Sequence, residues 1–174
     1  MTAVAGPAVV LVGPMGVGKS TVGEILAERL GVDCRDTDQD VARTAGKAIS
    51  EIFLDDGEDS FRELERAAVR TALAEHRGVL ALGGGAVLSE ETRGLLAGQP
   101  VVYLEMGVHE AVKRVGLDAP RPLLVINPRQ QWRKLMDERR PLYTEVARMV
   151  ISTEDLTPEE VAEAILDALE LKKA

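Results

Sequence analysis

A chain of 174 residues, 45% of them hydrophobic, is long enough for one domain with a full core. Its net charge of −8 argues against nucleic acid as the main partner, because phosphate backbones need clustered cations. A single cysteine, Cys34, excludes an internal disulfide, and neither a leader-like start nor a membrane-length apolar run appears, so a soluble cytoplasmic protein is expected.

Only 3% of the residues are aromatic, so the core must be built mainly from Val, Leu, Ile and Ala. Ala8 to Val12 reads as a buried parallel strand. Gly13-Pro14-Met15-Gly16-Val17-Gly18-Lys19-Ser20 follows and fits the phosphate-binding P-loop. Ser20 to Leu30 then reads as a helix stopped by Gly31. Strand, loop and helix in that order are the context the motif requires. Val32 to Asp36 is a second strand, and Asp38 to Ala45 a helix ending at Gly46. Ile49 to Leu54 is a helical turn closed by Asp55-Asp56-Gly57. Ser60 and Glu63 form a capping-box pattern for a longer helix, whose apolar stripe is Phe61, Leu64, Ala68 and Ala72.

Val79 to Leu82 is a third strand, cut off by Gly83-Gly84-Gly85, and Ser89 caps a short helix. Val101 to Glu105 is a fourth strand and Val108 to Val115 a helix. Gly116 to Pro128 carries three prolines and breaks regular structure. Arg129 to Ala147 is helical with Pro141 as a break or kink, and Arg148 to Ser152 is a fifth strand. Thr157 at the N-cap and Pro158 at the first helical position start the last helix. Alternating strands and helices predict one α/β domain over 1–174, with a parallel sheet covered on both faces. Its ligands belong beyond the carboxyl ends of the strands.

The P-loop implies a nucleoside triphosphate. Its backbone N–H groups close on phosphates, Lys19 reaches the β- and γ-phosphates, and the Ser20 hydroxyl ligates Mg²⁺. Strand three ends in glycine rather than a carboxylate, which leaves Asp36 or Asp38 to help hold the metal. At spacing two on extended chain these carboxylates point to opposite sides, one to the metal and one to a phosphate acceptor; helix N-capping is the competing reading. Three successive glycines suggest a ligand against the backbone, with a plain tight turn as the alternative. Glu65 leans toward the Phe61 stripe and needs a partner. Arg62, three residues before it, is the nearest, unless the two form an exposed pair. Arg121, between Pro120 and Pro122, is a mobile phosphate-closing arginine or a solvated one, and Arg139-Arg140 is an anion clamp or a helix end.

Taken together these segments resemble the shikimate kinase family. They are Gly13 to Ser20, Asp36-Thr37-Asp38, Phe53 through Gly57-Glu58 to Phe61-Arg62-Glu63-Leu64-Glu65, and Gly83 to Gly85. Val102-Tyr103-Leu104, Arg121-Pro122-Leu123-Leu124 and Arg139-Arg140-Pro141-Leu142-Tyr143 complete the set. The resemblance implies a five-stranded parallel sheet in the order 2-3-1-4-5 with a lid at about 115–128. It implies ATP- and Mg²⁺-dependent phosphorylation of the 3-hydroxyl of shikimate, the fifth step of chorismate and aromatic amino-acid biosynthesis, by a monomer. Roles carried across place Gly16, Val17, Gly18, Lys19, Ser20 and Thr21 on the nucleotide, with Arg114 and Pro158 near adenine. They place Ser20 and Asp36 at the metal, and Asp38 on the hydroxyls as base or orienting group. Arg62 and Arg139 fall on the carboxylate, Glu65 behind Arg62, Gly83 to Gly85 against shikimate, and Arg121 on the lid. A gluconate-type kinase on the same fold and a nucleotide-switched binding protein are the alternatives.

Overall fold

A computed structural model describes residues 6–107, 110–111 and 128–171. The expected helix over 108–115 and the lid over 115–128 lie outside the described residues, apart from their edges. So do Arg114 and Arg121.

Five strands form one parallel sheet in the order β2-β3-β1-β4-β5, as expected. They are β1 (Val9–Val12), β2 (Cys34–Asp36), β3 (Val79–Ala81), β4 (Val101–Glu105) and β5 (Met149–Ser152). The most apolar strands lie at the centre because helices cover both faces there. All four residues of β1 and all three of β3 are buried, whereas no residue of the edge strand β2 is. Register fixes the rim. Leu11 lies beside Ala81 and Asp36 beside Ala81, so β1, β3 and β2 end at one level. The chain that follows each strand therefore emerges on the same edge.

The helices are α1 (Lys19–Leu30), α2 (Thr37–Ala45), α3 (Ile49–Asp56), α4 (Glu58–Glu75), α5 (Glu90–Leu96), α6 (Pro128–Val146) and α7 (Pro158–Ala168). A short 3₁₀ turn spans Ala86–Leu88. The main core joins the sheet to α1, α4, α6 and α7, and it includes Trp132, Tyr103 and Tyr143 beside the aliphatic residues. A smaller core of Val41, Ile52 and Phe61 holds α2, α3 and α4 together. Arg29 on α1 pairs with Glu163 on α7.

Three expectations change. First, α4 begins at Glu58, so Ser60 and Glu63 lie inside the helix and form no capping box. Gly57, at φ 88° and ψ 167°, turns the chain directly from α3 into α4, a conformation that side chains resist. Glu58 and Asp59 then sit in the first turn, where negative charge suits the helix dipole. Second, α6 runs through Pro141 without a break. Third, β2 is shorter than Val32 to Asp36, because the Val32 N–H still bonds back to the Ala27 carbonyl at the exit of α1.

The caps at Ser89 and Thr157 are present. Ser89 accepts from the Thr92 N–H. Thr157 and Glu160 form a reciprocal capping box. Thr157→Ala is therefore expected to lower stability by about 1 kcal/mol and the melting temperature by about 2–4 °C. A thermal melt of the variant checks this, and an unchanged midpoint would mean that the cap contributes nothing.

Candidate active site

The P-loop connects β1 to α1 at the carboxyl rim of the sheet. Gly18 caps α1 at φ 99°, so only glycine closes this turn without strain. The first N–H groups of α1 have no intrahelical acceptor and face the loop, together with the positive end of the helix dipole. Gly16, Ser20 and Thr21 are exposed at the mouth, while Val17 is buried beneath them. Lys19 folds back over the loop, and its Nζ donates to the carbonyls of Gly13 at 2.6 Å and Pro14 at 3.0 Å. Burial pushes its ammonium down to about 8, against the opposing pull of Asp38 and Asp36. This is a cation stripped of water, with carbonyls as stand-ins for a stronger anion.

Asp36 and Asp38 are not on one extended strand. Helix α2 starts at Thr37, so only Asp36 is in extended backbone, and the alternation expected of them does not apply. Asp36 is the N-cap: one oxygen accepts from the Asp38 N–H at 2.8 Å. Its other oxygen accepts from the Ser20 hydroxyl at 3.4 Å. The capping reading and the position beside Ser20 therefore hold together. Asp38 turns toward Lys19 and the glycine triplet. Burial, then repulsion from Asp36 and Glu65, push its carboxyl up to about 6.

Helix α4 supplies the facing wall. Arg62 Nη1 donates to Glu65 at 2.8 Å, and its guanidinium lies 5.1 Å from the Phe61 ring centroid. Glu65 is 3% exposed. Burial raises its pKa, and Arg62 and Arg139 oppose that shift. The pair thus joins a buried Glu65 to a half-buried Arg62, and is not the exposed one a few tenths of a kcal/mol would describe. Helix α6 brings Arg139, only 5% exposed, to the same place, while Arg140 faces outward. The Arg139 Nε has no hydrogen-bond partner among the described residues.

The glycine triplet lies where these groups meet. A Cβ on Gly83 would collide with Asp38 and come within 3.1 Å of Glu65. One on Gly85 would collide with the Arg62 guanidinium. One on Gly84 would stand 3.3 Å from the Met15 amide and 3.6 Å from Arg139 Nη1. The space that three glycines leave is filled by charged side chains of the chain itself. Two residues that hold this backbone were missed as functional positions. Thr37, fully buried, accepts from the Gly83 N–H at 3.2 Å. The Tyr143 hydroxyl donates to the Gly84 carbonyl at 2.5 Å. For Tyr143 the sequence did hold a signal: it follows Arg139 by four and so shares its helix face.

Pro158 stands exposed at the start of α7. The loop before it is tied to the end of β4 by Thr153 Oγ1 donating to the Glu105 carbonyl and Glu154 accepting from the Gly107 N–H. No described helix is long and apolar enough to cross a membrane.

A nucleotide loop, a buried and a half-buried arginine and a carboxylate thus converge on one rim. The model of the family described as shikimate kinase matches residues 15–170. A shikimate kinase of Streptomyces coelicolor is 67% identical over 168 residues, which cover 97% of this chain and 98% of that one. A second, from Streptomyces avermitilis, is 66% identical over the same share of each chain. Among solved structures, a shikimate kinase from Acinetobacter baumannii in complex with shikimate superposes with a TM-score of 0.89 at 40% identity, covering 94% of this chain and 93% of that one. The gluconate-type and switch-protein alternatives therefore give way, and the chain belongs to the shikimate kinase family, an ATP-using phosphotransferase.

Proposed function

We propose that the rim built by the P-loop, Asp36-Thr37-Asp38, Arg62, Gly83 to Gly85 and Arg139 transfers the γ-phosphoryl group of ATP to the 3-hydroxyl of shikimate. The observation that supports this most is the convergence of Arg62 and Arg139 on the glycine triplet beside Asp38. Two guanidiniums suit one carboxylate, and one carboxylate suits adjacent hydroxyls as a double acceptor.

Lys19 leaves the Gly13 and Pro14 carbonyls for the phosphates, whose negative charge restores its full ionisation. Gly16 to Thr21 wrap the phosphates through backbone N–H groups. Ser20 and Asp36 would hold Mg²⁺. Their oxygens are hard donors 3.4 Å apart, and no cluster of three ligating side chains exists among the described residues. That fits an ion which relies on few carboxylates and keeps waters and phosphate oxygens. When bound, the ion neutralises charge on the β- and γ-phosphate oxygens. Arg62, held by Glu65, and Arg139 take the shikimate carboxylate, and Gly83 to Gly85 line the acceptor. Asp38 orients the 3-hydroxyl and accepts its proton as the oxygen–phosphorus bond forms and the bond from the γ-phosphorus to its bridging oxygen breaks. ADP leaves, and the proton passes to solvent. A loose transition state asks for positioning more than for a strong base, which suits a carboxyl near 6. Arg121 would close over the phosphates, and Arg114 and Pro158 would flank adenine. A cytoplasmic monomer is the form in which this enzyme works.

ADP release measured against shikimate, quinate, gluconate and nucleoside monophosphates tests the reading. Shikimate alone is expected to stimulate strongly, and NMR of the product is expected to place phosphorus on O3. Stimulation by another acceptor, or phosphorus on another oxygen, would overturn it.

Arg62→Ala is expected to weaken shikimate binding about 10- to 100-fold, the loss of a charge-assisted contact, and to leave ATP binding intact. Titration calorimetry with each ligand separately decides. Equal loss for both ligands removes Arg62 from the acceptor site.

Asp38→Asn is expected to reduce turnover by about 100-fold or more. It should also stabilise the free protein at neutral pH. The folded Asp38 holds its proton up to about pH 6, whereas the unfolded chain releases it near pH 4. Stability therefore falls as pH rises through that window, and the penalty persists above it. Asn carries no such penalty. After discounting for partial exposure, the gain at pH 7 is on the order of 1 kcal/mol and disappears below about pH 4. Melts at pH 7 and pH 4 check the sign; a variant less stable at pH 7 would refute it.

A further inference from the structure

Tyr143 is fully buried, and its ring stacks on Tyr103 with centroids 4.9 Å apart. Phenylalanine would fill that space equally well. A buried hydroxyl is costly unless it is bonded, so the hydroxyl calls for its own explanation. It donates to the Gly84 carbonyl across 59 residues of chain, and it lies beside the Arg139 guanidinium. Burial pushes the phenol up to about 12, so it remains a donor throughout the working range of pH.

Gly84 has no side chain to hold it. The P-loop at Met15 and Arg139 Nη1 both border the place where its Cβ would stand. The N–H of the preceding glycine is held by Thr37. The Gly83 and Gly85 carbonyls accept from the Ala86 and Leu88 N–H groups of the following turn, so it is the Gly84 carbonyl, between two flexible glycines, that needs a tether of its own. Tyr143 supplies that tether from the helix that also carries Arg139.

We propose that Tyr143 is a positioning residue for acceptor recognition: its hydroxyl locks the Gly84 carbonyl and the Arg139 guanidinium in one arrangement that receives the carboxylate of shikimate. This rests on the assignment of Arg139 to that carboxylate. Tyr143 is fully buried and acts by fixing the groups that face the ligand, and pre-orientation of this kind improves affinity without a new contact.

The test compares Tyr143→Phe, Arg139→Lys and the double variant by calorimetric titration with shikimate and, separately, with Mg-ATP. Tyr143→Phe is expected to raise the shikimate Kd about five- to tenfold, the worth of one hydrogen bond, with the ATP Kd changed less than twofold. On the Arg139→Lys background the same change is expected to add less than twofold, because the group it positions has already lost its fork. Equal losses for both ligands, an unchanged shikimate Kd, or full additivity with Arg139→Lys would overturn the proposal. A Tyr143→Phe protein that no longer binds ATP would make the hydroxyl a fold element and also overturn it. Arg139→Lys that leaves shikimate binding unchanged would instead refute the assignment of Arg139, whatever Tyr143→Phe does.

Discussion

Four charged side chains are packed against a stretch of backbone that has no side chains of its own: Asp38 and Glu65 at Gly83, Arg139 at Gly84 and Arg62 at Gly85. Lys19 and Asp36 stand near Asp38 and add a third positive and a third negative charge. Gly83 and Gly85 are glycine because Asp38 and Arg62 occupy the space a Cβ needs. Everything else about the rim follows from fitting these groups together. Helix α4 starts directly after Gly57, and Arg62 and Glu65 arrive from one side. Helix α6 brings Arg139 from the other, and α2 begins one residue after β2 so that Asp38 turns inward.

Such a cluster opposes folding. Desolvation pushes Lys19 and Asp38 toward their neutral forms, and both shifts mean that the charged state is less comfortable in the folded chain than in water. The stability must come from elsewhere. It comes from the fully buried strands β1 and β3, from the helices that cover them, and from caps such as Thr157 with Glu160. The division of labour is spatial. Aliphatic packing fills the middle of the sheet, and the electrostatic penalty is confined to one rim, where incoming ligands of opposite charge relieve it.

The features readable in the sequence were those set by neighbours a few residues away. The P-loop, the buried runs of the central strands, the caps at Ser89 and Thr157 and the lean of Glu65 toward Phe61 all depend on local spacing. Features set by tertiary contacts were not readable. Ser60 and Glu63 have the right spacing for a box, but Gly57 starts the helix earlier and leaves them inside it. Asp36 and Asp38 looked like alternating positions only while the strand was assumed to continue. The glycine triplet announced a close approach without saying by what, since Asp38, Arg62 and Arg139 reach it from three separate helices. The place two residues before Pro141 favours Arg139 over Arg140; the fold buries Arg139 and leaves Arg140 exposed, a difference that local spacing does not carry.

The acidity of the chain looked awkward for an enzyme whose two substrates are both anions. The site removes the difficulty without reversing the sign. Among the described residues its three cations and three anions cancel, so the net charge of −8 is carried outside this cluster. Exposed charges are screened beyond about 8 Å at physiological salt, whereas the buried Arg139 and the half-buried Arg62 and Lys19 act at contact distance in a medium of lower dielectric. In the proposed site, recognition of ATP and shikimate would therefore depend on a few partly desolvated cations held in fixed positions, and little on the field of the whole protein. This places a premium on rigidity at the rim: a neutral cluster attracts an anion only while its cations face the ligand and its carboxylates remain behind them. Glu65 behind Arg62 and the Asp36 cap beneath Ser20 are arrangements of that kind.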